Sequence, residues 1–203
     1  MGAQVSLLKN YMTNIVMFSV YTEPKVIPEF LTEDEIEYIK KESINNLSPS
    51  IISDDLNNGE NCNDRNVRDS DSTWLDLDDP IVSRVVRRCV GLTNKPFTNC
   101  EWLQVIRYKL GGFYKTHQDV EPIGYTNRRL YTIMIALNDN YEGGETIFPN
   151  LNIKYKLKKG SALFFHTVDN NELETSLALH GGQPVKSGEK WICNLWVHKY
   201  PYT

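Results

Sequence analysis

The sequence predicts an α+β fold in which a jelly roll, or double-stranded β-helix, forms the core and helices flank it on the N-terminal side. Three observations lead there. Two capped amphipathic helix patterns precede residue 92, many short strand patterns separated by turns follow Cys100, and no internal repeat breaks the order. With 203 residues, 40% hydrophobic and 24% charged, the chain is long enough to bury one good core. It is read as a short strand or extension over residues 1–25 followed by a single domain over 26–203.

Residues 11–21 are moderately apolar but too short and too interrupted for a transmembrane helix, and read better as a first strand. No transmembrane segment and no clear signal peptide is expected, which favours a soluble, cytoplasmic chain and leaves the secretory pathway open. Met1-Gly2-Ala3-Gln4-Val5-Ser6 fits the N-myristoylation pattern at Gly2, a pattern short enough to arise by chance, and one acyl chain gives only marginal membrane attachment. After a strand-like stretch over 25–30, Thr32 and Glu35 form a capping box, and Ile36, Tyr38 and Ile39 make a short amphipathic helix. Asp79 and Pro80 start a second helix whose Ile81, Val82, Val85, Val86, Cys89 and Val90 form one apolar stripe before Gly91. Between the helices, residues 53–72 are rich in Asn and Asp with little apolar content, and read as a long mobile loop of the kind that serves as a lid. Strands are then expected over 102–108, 113–120, 129–137, 145–148, 153–157, 161–166, 177–180 and 190–198. Gly111-Gly112, Gly143-Gly144 and Lys159-Gly160 supply turns between several of them.

A net charge of −4 argues against nucleic acid as a partner, because neutralising phosphates takes clustered Lys and Arg. The basic runs 84–88 and 154–159 read as solvated faces of a helix and a strand. Cys62, Cys89, Cys100 and Cys193 show no CxxC spacing, so neither a zinc knuckle nor a thioredoxin-like motif is indicated. Cys89 and Cys193 read as ordinary buried thiols, with disulfides left open.

The most informative residues are His117, Asp119, His180 and Lys190. Two imidazoles and one carboxylate can hold a divalent iron on one face of an octahedron and leave three positions for a bidentate co-substrate and dioxygen. On a strand, residues i and i+2 share a face, so His117 and Asp119 are expected to project together while Gln118 turns away. His180 has to arrive from another strand. Lys190 begins an alternating run that sets Lys190, Ile192, Asn194, Trp196 and His198 on one side. Its ammonium suits the far carboxylate of a dicarboxylic keto acid whose near end chelates the metal.

Taken in order, Leu103-Gln104-Val105-Ile106-Arg107-Tyr108, Tyr114, His117, Asp119, Arg129 through Thr132, Gly143-Gly144-Glu145-Thr146-Ile147-Phe148-Pro149, Lys159-Gly160-Ser161-Ala162-Leu163, His180 and Gly188-Glu189-Lys190-Trp191 resemble the prolyl 4-hydroxylase branch of the Fe(II)/2-oxoglutarate-dependent dioxygenases. The resemblance implies that iron is held by His117, Asp119 and His180. It implies that 2-oxoglutarate is held by Lys190 with Tyr108 and Thr146, in a pocket walled by Thr132 and Trp196. Dioxygen would be the second co-substrate and ascorbate the reductant, with 2-oxoglutarate decarboxylated to succinate as the substrate is hydroxylated. Tyr114, Arg129 and His198 match residues that contact peptide in proline-hydroxylating relatives, so a peptidyl proline in a proline-rich or collagen-like chain is the implied substrate. Residues 120–127 are shorter than the corresponding loop in many relatives, which implies a more open side to the peptide groove. Two alternatives stay open at this point: an oxygenase with the same cofactors acting on another side chain or small molecule, and a metal-binding jelly-roll module without oxygenase activity. A zinc hydrolase on the same three ligands would leave Lys190 and Tyr108 without a task.

Overall fold

The computed structural model describes residues 21–54, 60–120 and 125–202. Gly2, most of the expected first strand and residues 121–124 lie outside the described residues.

Helix α1 (Glu33–Ser43) begins as its capping box requires: Glu35 N donates to Thr32 Oγ1, and Thr32 N donates to the Glu35 carboxylate. Helix α2 (Pro80–Val90) begins at Asp79, whose Oδ1 accepts from Ile81 N and Val82 N. The two starts are tied together, since the Tyr38 hydroxyl donates to Asp79 Oδ2 at 2.5 Å. Arg88 donates to both Glu35 oxygens at 2.9 and 3.0 Å, and Arg84 Nε adds a bond at 3.0 Å. The pair is thus one unit before it meets the sheets. Its apolar side carries Ile36 and Ile39 from α1 and Val82, Val85, Val86 and Cys89 from α2, all buried. Each large aliphatic side chain so buried contributes about 1.5–3 kcal/mol.

The strands are β1 (Lys25–Ile27), β2 (Ser48–Pro49), β3 (Ile52–Asp54), β4 (Glu60–Cys62), β5 (Arg68–Asp69), β6 (Asp71–Leu75), β7 (Leu103–Tyr108) and β8 (Phe113–His117). They continue with β9 (Arg129–Ala136), β10 (Glu142–Gly143), β11 (Thr146–Phe148), β12 (Ile153–Tyr155), β13 (Ala162–His166), β14 (His180–Gly182), β15 (Val185–Ser187) and β16 (Lys190–His198). A major sheet runs β1-β13-β9-β16-β7-β6-β2 and a minor sheet β12-β11-β14-β8-β5, and their pairings are antiparallel. This is the expected jelly-roll arrangement with flanking helices.

Strand β16 shows how the sequence separates two cores. Trp191, Cys193, Leu195 and Val197 point to the helix side and join Val85, Val86 and Cys89. Ile192, one position out of phase, joins Ile106, Tyr108, Met134 and Phe148 between the sheets. A period of two in one buried strand therefore serves both layers. Cys89, Cys100 and Cys193 are buried free thiols.

Three expectations need correction. Residues 53–72 are not one loop: β3 pairs with β4, and β5 and β6 join the minor and major sheets. Their polar sequence escapes the alternation test because neighbouring side chains there bond to each other, as Arg68 Nε does to Ser70 Oγ at 3.0 Å and Ser70 Oγ to Ser50 Oγ at 2.8 Å. Strand β8 ends at His117, so Asp119 sits in the bend beyond it rather than at the i+2 position of a strand. Residues Ser176–Ala178 form a single 3₁₀ turn, and the strand begins only at His180.

Candidate metal centre and active-site cleft

His117 and His180 are direct cross-strand partners, one closing β8 and the other opening β14. That close pairing depends on Gly181, where an added Cβ would lie 3.0 Å from both Tyr114 O and Thr116 N. Each imidazole is oriented by its own backbone: Nδ1 of His117 donates to Lys115 O at 2.8 Å, and Nδ1 of His180 to Ala178 O at 3.0 Å. Both Nε2 lone pairs are left facing the same space. The bend after β8 turns the Asp119 carboxylate into it, with Oδ1 3.4 Å from His117 Nε2 and Oδ2 3.5 Å from His180 Nε2. The ligand atoms of all three residues lie within 4.8 Å of one another.

The protonation states suit a metal. Burial pushes the His180 pKa down to about 4, so its ring is neutral at pH 7. Burial acts on Asp119 in the opposite sense, but the neighbouring histidines outweigh it and hold the carboxyl well below its ordinary value. An ionised carboxylate beside a neutral imidazole lone pair is the donor set that a hard-to-borderline dication such as Fe(II) requires.

Thr132 of β9 stands behind this group, fully buried, and its Oγ1 donates to Asp119 Oδ2 at 2.7 Å. It therefore orients the carboxylate instead of walling the pocket beside Lys190. Thr132→Val, which keeps the shape and removes the donor, is expected to weaken Mn(II) or Fe(II) binding by about 10- to 100-fold, readable by calorimetry.

A cavity beside the three residues is lined by Tyr108, Tyr114, Met134, Thr146, Lys190 and Asn194. Lys190 opens β16 directly opposite Tyr108 in β7. Its ammonium is buried, donates to Gly144 O at 2.7 Å and lies 5.4 Å from the centre of the Tyr108 ring. Among the described residues, no carboxylate lies within ion-pair distance of it. Burial pushes its pKa down to about 8, against a weaker upward pull from Glu145. A buried ammonium with no carboxylate partner among the described residues marks a place shaped for an acidic ligand.

The residues expected to meet peptide are distributed differently. Tyr114 stacks on His117 with ring centres 3.6 Å apart, and the Arg68 guanidinium covers its other face at 4.8 Å. Arg129 chelates the Glu101 carboxylate through Nε at 2.5 Å and Nη2 at 3.0 Å, and lies 4.2 Å from the Trp196 ring centre. His198 is not an open donor at the mouth: it is 3% exposed, with Nε2 2.7 Å from Glu101 Oε1 and Nδ1 3.0 Å from Asn127 O. It holds Glu101, which in turn holds Arg129. Burial works against the Glu101 carboxylate, but hydrogen bonds from His198 and Arg129 outweigh it and keep the pKa below the ordinary value. Trp196 lies away from the Lys190 cavity and, with Arg68, Trp74, Gln104 and Arg129, lines an open cleft of about 430 Å³. Arg68 and Glu101 escaped the sequence reading. Each acts through partners more than 25 positions away, Gln104 and Tyr114 for the first and Arg129 and His198 for the second, and no local spacing records that.

With the fold and this geometry in place, comparison with known proteins identifies the class. A family model described as the 2OG-Fe(II) oxygenase superfamily matches residues 103–198, and the chain belongs to that superfamily. Membership implies Fe(II), 2-oxoglutarate and dioxygen as cofactor and co-substrates. Several of the proteins it resembles within the superfamily are named prolyl hydroxylases. A putative prolyl 4-hydroxylase of Acanthamoeba polyphaga mimivirus is 38% identical over 150 residues, 69% of this chain and 62% of the relative. Prolyl 4-hydroxylase 2 of Arabidopsis thaliana is 32% identical over 195 residues, 83% of this chain and 64% of the relative. The chain thus spans less than two thirds of the length of these two curated relatives. Among solved structures, the 2OG complex of the viral collagen prolyl hydroxylase from Paramecium Bursaria Chlorella virus-1 aligns with a TM-score of 0.71 at 30% identity, over 88% of this chain and 97% of that one. Among the described residues, no helix is long and apolar enough to cross a membrane.

Proposed function

We propose that this chain is a peptidyl-proline 4-hydroxylase that depends on Fe(II) and 2-oxoglutarate, with residues 26–203 as its catalytic unit. The observation that carries the reading is the convergence of His117, Asp119 and His180 beside a buried Lys190 that has no carboxylate partner among the described residues. Kinship to prolyl hydroxylases supports the choice of proline.

With iron and 2-oxoglutarate bound, the site would split dioxygen, one oxygen atom entering a substrate C–H bond as hydroxyl and the other entering succinate as 2-oxoglutarate is oxidised and loses carbon dioxide. The rest falls to the protein. His117 Nε2, Asp119 and His180 Nε2 would hold the metal, and Thr132 keeps the carboxylate turned towards it. Lys190 would take the distal carboxylate of 2-oxoglutarate, with Tyr108 and Thr146 as neighbouring hydroxyls. Tyr114, stacked on His117, would wall the side on which peptide enters. Arg129, aimed by Glu101 and His198, would donate to peptide carbonyls along the cleft bordered by Trp196. An extended or polyproline II chain suits that cleft, because its backbone carbonyls are not paired internally. Ascorbate is the expected reductant. Neither a zinc hydrolase nor a metal-binding module without oxygenase activity would have a use for the buried ammonium at Lys190.

Lys190 also makes the reading pH-dependent. The cation is the form that pairs with a carboxylate, and it is lost as pH rises through about 8. Affinity for 2-oxoglutarate in the Mn(II) protein is expected to be flat below that value and to fall by about tenfold per pH unit well above it. Lys190→Arg should flatten the profile over the same range, because guanidinium stays charged.

The direct assay is anaerobic reconstitution with Fe(II) and 2-oxoglutarate, then oxygen and a panel of proline-rich peptides, with ascorbate present. Peptide mass gain of one oxygen and succinate in equal amounts are expected. Succinate with no product from any proline peptide, but with product from another substrate class, would move the reading to a different side chain or small molecule.

A further inference from the structure

Strand β16 ends where its sequence stops it. Lys199 N still donates to Arg128 O at 2.9 Å, but Pro201, two residues on, has no N–H with which to extend the ladder beside β9. Asn127 closes the gap from the other side. Its Oδ1 accepts from Tyr200 N at 2.9 Å and its Nδ2 donates to Pro201 O at 3.0 Å, so one side-chain amide pairs with both as a backbone peptide unit would. The partners decide which way that amide faces, because Tyr200 N is a donor and Pro201 O an acceptor. The segment after β16 is thereby clasped to the chain just before β9.

The clasp bears on the site through the carbonyl of Asn127 itself. Asn127 O accepts from His198 Nδ1 at 3.0 Å, and Nε2 of the same ring lies 2.7 Å from Glu101 Oε1. His198 is gripped twice more: the Tyr202 ring lies against it with centres 4.7 Å apart, and its own carbonyl accepts from the buried Asn99 Nδ2 at 2.9 Å. Glu101 then holds Arg129 by bonds of 2.5 and 3.0 Å. These outrank the bond from Arg129 Nη1 to Asp119 O, which at 3.4 Å is near the limit of hydrogen bonding. We infer that Asn127 is a positioning residue for the proposed reaction: through His198 and Glu101 it sets the direction in which Arg129 meets the substrate. Asn127 does not line the cleft shared by Arg129 and Trp196, so any effect of its replacement on substrate affinity has to travel through those contacts. The inference rests on the reading of Arg129 as a peptide contact and adds a residue that holds it from outside the cleft.

The test compares the wild type with Asn127→Ala, Arg129→Ala and the double variant. Each is loaded with Mn(II) and 2-oxoglutarate and titrated with capped tetraproline by calorimetry, and in the peptide-free proteins that keep Arg129 its Nε–H exchange is read by NMR. Asn127→Ala is expected to lose about fivefold in peptide affinity, the size of one hydrogen bond's contribution, with Mn(II) and 2-oxoglutarate affinities unchanged. The Arg129 Nε–H should exchange faster by a similar factor. The double variant should bind peptide no more weakly than Arg129→Ala alone, because two changes that act through one group do not add. A residue that only braces the fold would give additive losses and leave the Nε–H signal where it was. Additive losses, an unmoved signal, or parallel losses in metal and co-substrate affinity would therefore overturn the inference. Peptide affinity that falls in Arg129→Ala but not in Asn127→Ala would overturn it and leave the proline reading standing. Faster Nε–H exchange in Asn127→Ala, in a protein whose wild type binds no proline peptide, would support the positioning and overturn the proline reading instead.

Discussion

His180→Ala is expected to abolish succinate formation and peptide oxidation together, with metal affinity lowered by at least about 100-fold. Of the three proposed ligands, His180 has the least freedom to be replaced. It is 4% exposed, its Nδ1 is committed to Ala178 O, and the Phe148 and Phe165 rings flank it with centres 5.4 and 4.8 Å away. No other described His, Cys, Asp or Glu joins the group formed by His117 and Asp119. Without it a dication keeps one imidazole and one carboxylate, and the two remaining groups cannot fix three adjacent coordination positions. The buried volume vacated costs some stability, so metal titration has to accompany a thermal melt. The distinctive result is a folded protein that neither holds the metal nor turns over. Retention of stoichiometric, tight metal binding in this variant would show that the metal site lies elsewhere.

Lys190→Ala has the second large effect, of a different kind. Metal affinity should stay near the wild-type value, because Lys190 touches none of the three ligands. Affinity for 2-oxoglutarate should fall by at least about 30-fold, following the roughly 2–5 kcal/mol that loss of one partner of a buried, hydrogen-bonded charge pair costs. Stability points the other way. In the ligand-free protein the ammonium is desolvated without a counter-charge, so its removal is expected to leave the melting temperature unchanged or raised. A stability gain combined with a co-substrate defect is hard to obtain from a residue whose role is only structural. An unchanged 2-oxoglutarate affinity would remove Lys190 from its assigned place.

How much of this is legible in the chain depends on whether the signal is local. The capping box at Thr32 and Glu35, the Asp79-Pro80 start and the valine stripe of α2 all lie within one turn or two of helix, and they appear where read. The alternation of β16 is equally local, and it correctly separates Lys190 and Ile192 from Trp191 and Cys193. The three proposed ligands are legible as a cluster because their types are rare and their order distinctive, but the geometric reason read for them is only partly right. Asp119 reaches the site through a bend and a hydrogen bond from Thr132, not through strand periodicity. The substrate side is the least legible. His198 looks like a donor at the mouth and is in fact a buried brace for Glu101, a partner 97 positions away. Arg68 sits in a polar stretch whose strands are held by side-chain bonds and short pairings, so hydropathy reads it as loop. Periodicity reports burial; it does not report which polar groups find one another across the fold.

The most direct measurement is an anaerobic calorimetric titration of the metal-free protein with Fe(II), followed by 2-oxoglutarate, repeated with the keto acid added first. One equivalent of iron, and 2-oxoglutarate binding that is at least tenfold tighter once iron is present, are expected if the three donors and Lys190 serve a single site. Saturable 2-oxoglutarate binding of equal strength with and without metal, or no stoichiometric iron binding at all, would contradict it.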